Sequence, residues 1–359
     1  MEDDAYRDDQ SIQDWFSDNN NGRRSYRAVC ERIGLYPNGQ PGQASILLGI
    51  EDFVNECVAT GLPAFLIEQV SKRKQSIHPY SLASHLRFFR EYLSVVDGYH
   101  DYSEHIQIFI EACRYAGFIS GYFPGPMVIG LESPTAQHCE AMNRVVSYIR
   151  NGFSRTIFSR MADDRRYQSS LKEQSITRYA WALREYYCRL SVVRLDFGYR
   201  DECQGFITID HVYAHLDALL KAMANRHPIF EHKVGYAWSI EQGTDGKGYH
   251  LHVVVFFLGW EVRDDVYKSH QIGQFWVENI TSGMGTYFSC NAKKAEYRVY
   301  QGTGLFQRGD SDGWEDVVYC LLYLVKDDDQ HLRMRPRGAR TFSTGRAPDL
   351  ADKRGRPPA

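Results

Sequence analysis

The sequence predicts an α+β protein, in which a mostly helical N-terminal region precedes a domain with a central antiparallel sheet flanked by helices. Three features predict this class. Apolar residues recur at helical spacing from about residue 45 to 120, a stretch rich in glycine and proline follows at 120–136, and strand-like and helix-like segments alternate from residue 190 onward. The expected divisions are a mostly helical region of unknown role at 1–135, a basic helical connection at 136–184, the sheet domain at 185–345, and a basic tail rich in glycine and proline at 346–359.

Two apolar stripes in the N-terminal region have the spacing of a helix face. They consist of Leu82, Leu86, Phe89 and Leu93, and of Ile106, Phe109, Ile110 and Cys113. Residues three and four apart lie on one side of a helix, so each stripe predicts a helix with one buried face.

The composition is that of an ordinary globular protein. The chain has 359 residues, of which 43% are hydrophobic and 24% charged, and its eight cysteines include no CxxC pair. No apolar run approaches the roughly 20 residues of a membrane helix. The first ten residues are acidic where a signal peptide would be basic, so we expect a cytoplasmic protein without a membrane partner. The net charge of −3 is mild evidence against nucleic-acid binding, but the last 29 residues carry a net +6.

The elements of the sheet domain follow one another in a regular order. A strand is predicted at 190–197, a helix at 209–227, two strands at 234–242 and 249–257 joined by a glycine-rich hairpin, a helix at 266–280 and a strand within 286–300. The last helix, at 313–329, is expected to begin with Asp312 and Glu315 as a capping pair. The order β-α-β-β-α-β-α predicts an antiparallel sheet with helices on one face, as in ferredoxin-like and RNA-recognition folds.

Two histidines in the second hairpin strand form a candidate metal site. Side chains of a strand alternate, so His250 and His252 project from one face. Glu241 in the preceding strand is the expected third ligand, with Gln242 and Asp245 as alternatives. An HxH pair alone is weak, because about 0.5 such pairs are expected by chance in a chain with this many histidines.

Arg194 and Asp196 share one face of the first strand of the sheet domain. Side chains so placed could contact DNA or pair with each other. We expect them to form an ion pair rather than a DNA contact.

The last predicted helix carries a second candidate motif. Tyr319, Tyr323 and Lys326 have the spacing YxxxYxxK, which places all three on one helix face. This pattern is expected by chance only about 0.05 times in a chain of this composition. The alternative is two aromatic residues in the contact between helix and sheet and one solvated lysine.

Together these motifs resemble those of the HUH endonucleases. HLH at 250–252 resembles their histidine–hydrophobic–histidine motif, and YCLLYLVK at 319–326 resembles the two-tyrosine motif of phage rolling-circle initiators. The segments WSIEQ and YHLHVVVFF are similar to the inovirus replication-protein family, also described as the YagK/YfjJ C-terminal domain group of bacterial prophage-like elements. The resemblance covers about residues 185–345.

The resemblance implies a nickase and strand transferase acting on single-stranded DNA at a replication origin in a bacterial host. The histidines and a third ligand would hold Mg²⁺ or Mn²⁺, a tyrosine would form a 5′-phosphotyrosine, and Lys326 would orient the phosphate. The chain has no GxxxxGK[ST] segment, so a host helicase as well as a host polymerase would be partners. The alternatives are a catalytically silent DNA-binding relative and an unrelated metal-dependent phosphoesterase.

Overall fold

The structure, a computed structural model, describes residues 42–71, 74–119, 136–153, 156–243, 247–296, 300–326 and 331–349. The acidic start at 1–20, nearly all of the glycine- and proline-rich stretch and the end of the basic tail lie outside these residues. The described residues form two compact units. The N-terminal unit comprises residues up to 165 together with 333–339, and the sheet unit comprises 166–332 and 340–349.

The N-terminal unit is mainly helical, as the apolar stripes predict. Its elements are α1 (Gln43–Ala59), β1 (Phe65–Ser71), β2 (Lys74–Pro79), a 3-10 segment (Ser81–Phe88), α2 (Phe89–Ser94), β3 (His100–Tyr102), α3 (Glu104–Ala116) and α4 (Ala136–Phe153). Phe53, Phe89 and Phe109 are fully buried and pack edge to face. The antiparallel hairpin of β1 and β2 was not predicted from the sequence.

A segment from the end of the chain completes this unit. Strand β9 (Met334–Pro336) pairs with β3 in antiparallel register, and the Ser103 amide donates to the Arg333 carbonyl at 2.9 Å. The buried Arg333 guanidinium forms an ion pair with the Glu51 carboxylate on α1. Residues far apart in sequence therefore share one core.

The sheet unit contains the predicted alternation of strands and helices. Its elements are α5 (Thr156–Tyr186), β4 (Arg189–Tyr199), α6 (Ile209–Ala224), β5 (Lys233–Gln242), β6 (Tyr249–Leu258), α7 (Asp265–Phe275) with a π turn (Trp276–Ile280), β7 (Gly285–Ser289), β8 (Gly304–Gln307), α8 (Ser311–Leu322) with a 3-10 turn (Tyr323–Val325), and β10 (Phe342–Thr344). The boundary between the two units falls within α5. Among the described residues six strands form one antiparallel sheet, in the order β10-β5-β6-β4-β7, and β8 pairs with the other end of β4. The predicted α+β class with an antiparallel sheet is confirmed.

Helices cover both faces of this sheet, so the expectation of helices on one face is wrong. On one face Tyr179 of α5 meets Phe256 of β6, and α8 joins the same hydrophobic cluster. On the other face Phe197 of β4 stacks on Trp276 at 4.7 Å between ring centroids, and His215 of α6 contacts the same indole. The central strands are apolar on both sides and need cover on both. No helix in the described part of the chain is long and apolar enough to cross a membrane.

Helix α8 begins and ends differently from the sequence prediction. Its N-cap is Asp310, whose carboxylate accepts from the Gly313 amide at 3.0 Å, and the expected pair Asp312 and Glu315 lies inside the helix. The regular helix ends at Leu322 and tightens into the 3-10 turn, in which Leu324 and Val325 are buried. Because this turn is buried against the core, the chain forms a 3-10 turn where the periodicity predicts a continuous helix.

Candidate metal centre

The β5–β6 hairpin brings together three side chains that could hold a metal ion. Glu241 lies opposite His250 in the antiparallel register, and the next residue of β6 on that face is His252. One ligand atom of each side chain lies within 4.8 Å of the other two, and all three side chains are buried. Of the alternatives for the third ligand, Gln242 alternates to the opposite face, and Asp245 lies outside the described residues.

Strand β4 adds a carboxylate behind one of these imidazoles. Asp196 lies opposite His252 in the β4–β6 register, and its Oδ1 is 2.7 Å from Nδ1 of His252. The other ring nitrogen, Nε2, is 3.1 Å from Oε2 of Glu241. Arg194 pairs with Asp196, as predicted, with Nε 3.3 Å from Oδ1. The role of Asp196 beside His252 was not predicted, although the register of two antiparallel strands could have indicated it.

The pKa values of Asp196, Glu241 and His252 depend on one another in the metal-free protein. Burial alone would raise the pKa of Asp196, but the neighbouring Arg194 guanidinium and His252 imidazole outweigh it and hold that pKa below its usual value. Burial likewise opposes ionisation of Glu241, and His252 and His250 lower its pKa instead. For His252, desolvation lowers the pKa, but Asp196 and Glu241 raise it to about 9. At neutral pH the cluster therefore holds a protonated imidazole between two carboxylates.

The residues present fit a divalent cation. Glu241 offers a carboxylate oxygen, and Nε2 of His250 lies 3.4 Å from that same oxygen. Asp196 Oδ1 lies 2.7 Å from Nδ1 of His252, the place of the usual outer partner of a metal-binding histidine, and Nε2 faces Glu241. Two imidazoles and one carboxylate leave further coordination positions for a substrate oxygen or water.

The turn that follows α8 places one of the predicted tyrosines against this cluster. The Tyr323 ring meets the His252 ring edge to face, with 5.4 Å between centroids. The Arg194 guanidinium carbon lies 4.3 Å from the Tyr323 centroid, and Nζ of Lys326 lies 3.9 Å from it. The sequence predicts a continuous helix through Tyr323 and Lys326, but a 3-10 turn holds Tyr323 and Lys326 follows it.

The other predicted tyrosine has a different neighbour. The Tyr319 ring, one turn earlier on α8, stacks on Tyr300 with 3.8 Å between centroids and 24° between planes. Tyr300 had no predicted role, because nothing in its spacing relates it to α8. The two tyrosines of the motif therefore occupy distinct environments.

Comparisons with protein-family models, with curated protein sequences and with solved structures give no significant match to this chain.

Proposed function

We propose that this chain nicks and rejoins single-stranded DNA through a 5′-phosphotyrosine intermediate, as an HUH-type rolling-circle replication initiator. The observation that carries the proposal is the position of the Tyr323 ring, edge to face against His252 of the carboxylate–imidazole cluster. A nucleophile beside a metal centre is the arrangement that phosphoryl transfer to a side chain requires. A metal-binding site used only for structure would have no need of it.

The cluster of Glu241, His250 and His252 would hold the metal. Bound Mn²⁺ or Mg²⁺ supplies a Lewis acid for the scissile phosphate. The two imidazoles favour Mn²⁺, because Mg²⁺ prefers oxygen ligands. Asp196 keeps the His252 ring in place from behind.

The chain's own groups account for the remaining chemistry. The Tyr323 oxygen attacks the phosphorus, the bond from phosphorus to the 3′ oxygen breaks, the phenol loses its proton and the departing 3′ oxygen gains one. Arg194 and Lys326 bring two positive charges to the Tyr323 ring, where they stabilise the negative charge that develops in the transition state. Attack of a 3′-hydroxyl on the phosphotyrosine reverses these bond changes and rejoins the strand.

The biological setting follows from these products. Nicking leaves a free 3′-hydroxyl that a host polymerase could extend at a replication origin. Without an ATP-binding loop motif in the sequence, strand separation would fall to a host helicase. The partners proposed are therefore single-stranded origin DNA, a polymerase and a helicase.

A two-colour trapping experiment tests the proposal. The protein is incubated with Mn²⁺ and a library of randomised single-stranded oligonucleotides that carry one dye at the 5′ end and another at the 3′ end. We expect a covalent band carrying only the 3′ dye on a denaturing gel, and a released fragment with the 5′ dye and a 3′-hydroxyl. Sequencing the trapped strands gives the cleavage site.

Two double variants identify the participating groups. Tyr319→Phe with Tyr323→Phe and His250→Ala with His252→Ala should both lose the covalent band. Tyr267→Phe is the matched control, because this tyrosine is 62% exposed on α7, on the other side of the sheet, and should retain the band.

The two alternative functions predict different band patterns on the denaturing gel. Cleavage without a covalent band would indicate a metal-dependent phosphoesterase, and binding without cleavage of any library member would indicate a silent DNA-binding protein. Either result contradicts the proposal.

A further inference from the structure

The segment that precedes β8 lies tightly against α8. A Cβ atom built on Gly302 would lie 2.3 Å from the Asp316 carbonyl oxygen and 2.4 Å from Cβ of Cys320, so a larger side chain would push this segment away from α8. The Gln301 amide donates to the Asp316 carboxylate at 3.2 Å. These contacts fix the backbone next to Tyr300.

Next to this fixed backbone, the Tyr300 ring stacks on the Tyr319 ring. The rings are nearly parallel, and Tyr300 and Tyr319 are 39% and 41% exposed, so the pair lies at the surface of the sheet unit. Tyr323, four residues further on, is directed instead to His252. The two tyrosines of one motif are thus held by different partners.

We propose that Tyr300 is a positioning residue. Its stack on Tyr319 keeps that ring from taking part in the first step, so the first covalent bond to DNA forms on Tyr323. This inference rests on the proposed function and assigns an order to its two nucleophiles. In this proposal the Tyr319 ring leaves the stack before its hydroxyl reacts with a phosphate at the metal cluster. Aromatic pairs of this kind bias such an equilibrium by about 2- to 10-fold beyond the effect of burial.

Reaction of Tyr323 before Tyr319 allows two successive strand transfers. While Tyr323 carries the 5′ end of the strand, the Tyr319 phenol is not esterified and can react in a second transfer. In that transfer a bond from Tyr319 oxygen to phosphorus forms, a bond from phosphorus to a 3′ oxygen breaks, and one proton moves from the phenol to the 3′ oxygen. If both tyrosines competed equally for the first step, half of the molecules would begin with the wrong nucleophile.

The test measures which tyrosine carries the DNA. The full-length protein is trapped with Mn²⁺ and the oligonucleotide recovered from the library, the adduct is digested with nuclease and protease, and mass spectrometry quantifies nucleotide on Tyr319 and Tyr323. In the unsubstituted protein we expect the nucleotide on Tyr323. In Tyr300→Ala the share on Tyr319 should rise by about 2- to 10-fold, and in Tyr300→Phe, which keeps the stack, it should not.

A second variant and a second measurement guard against a simple folding defect. Gly302→Ala displaces the segment while keeping every tyrosine, and it should shift the adducts in the same direction as Tyr300→Ala. Without metal or DNA, nitration by tetranitromethane followed by peptide mapping should be faster at Tyr319 in Tyr300→Ala and unchanged in Tyr300→Phe.

Each outcome is decisive. Adducts mainly on Tyr319 in the unsubstituted protein, or an unchanged ratio and unchanged nitration in Tyr300→Ala, would overturn the positioning role. Absence of an adduct on both tyrosines in the unsubstituted protein would instead overturn the proposed function itself.

Discussion

His252 lies between two carboxylates that act on different ring nitrogens. Asp196 faces Nδ1 and Glu241 faces Nε2, and both carboxylates favour the protonated ring. A metal bound as proposed would need Nε2 as a lone-pair donor, so a proton and the metal would compete for the same atom.

This competition predicts that metal affinity rises with pH. The pKa of His252 is raised to about 9, so below that pH one proton must leave for each metal bound. Mn²⁺ affinity should therefore increase by about tenfold per unit between pH 6 and 8. Titration calorimetry in two buffers of different ionisation enthalpy measures both the affinity and the released proton. Affinity that does not change with pH would contradict the predicted competition.

The Asp196→Asn variant distinguishes the effect of Asp196 on His252 from that of Glu241. Removing one of the charges that raise the His252 pKa should flatten the pH dependence of Mn²⁺ affinity, and loss of the orienting contact should weaken Mn²⁺ binding by about 10- to 100-fold.

The raised pKa of His252 also affects the stability of the metal-free protein. Its stabilisation is present below the ordinary histidine pKa of about 6.5 and is lost as the pH rises through about 9.

Helix α8, which leads to Tyr323, depends on its N-cap. The Asp310 carboxylate accepts from the Gly313 amide, one of the helix donors that lack a partner within the helix. Asp310→Ala should lower the free energy of unfolding by about 1 kcal/mol, measured by urea denaturation followed by circular dichroism. Glu315→Ala, the matched control on the exposed side of the same turn, should change it by less than about 0.5 kcal/mol. Equal effects would mean that the sequence-predicted pair contributes to capping after all.

Local patterns predicted most elements of the sheet unit, but the short strands β8 and β10 were not among them. Alternation predicted strands β5 and β6, and the three glycines between them predicted a hairpin, so Glu241 was the expected third ligand beside His250 and His252. The apolar run at 253–257 also indicates a strand buried on both faces, which the one-sided arrangement overlooked.

The remaining features depend on tertiary contacts. Helical periodicity continues past Leu322, but burial of Leu324 and Val325 ends the regular helix there. The stack of Tyr300 on Tyr319 requires the close approach at Gly302, and no spacing in the sequence reports which segment will lie beside a helix. Such contacts between distant residues are decided by packing, and short-range patterns do not contain them.

At the scale of the whole molecule, the chain does not divide into consecutive halves. Residues 333–339 belong with the N-terminal unit, whereas 340–349 return to the sheet unit and add β10 beside β5. Each unit therefore contains a piece of the C-terminal segment. A deletion that removed everything after residue 332 would take a strand from both.

The ion pair between Glu51 and Arg333 joins this returning segment to the N-terminal core, and both side chains are almost fully buried. Glu51→Gln removes the negative charge that faces the Arg333 guanidinium, so we expect a loss of about 3–5 kcal/mol in the stability of that unit. Replacing both partners, as Glu51→Leu with Arg333→Met, removes the positive charge as well and should cost far less.

Hydrogen exchange followed by mass spectrometry measures this effect separately in each unit. In Glu51→Gln, amides of α1 and α3 should lose protection while those of β6 keep theirs, because the two units have separate cores. An equal loss in β6 would show that the chain opens as one cooperative block. A double variant as unstable as the single one would show that the shape of the pair, rather than its charge, holds residues 333–339 in place.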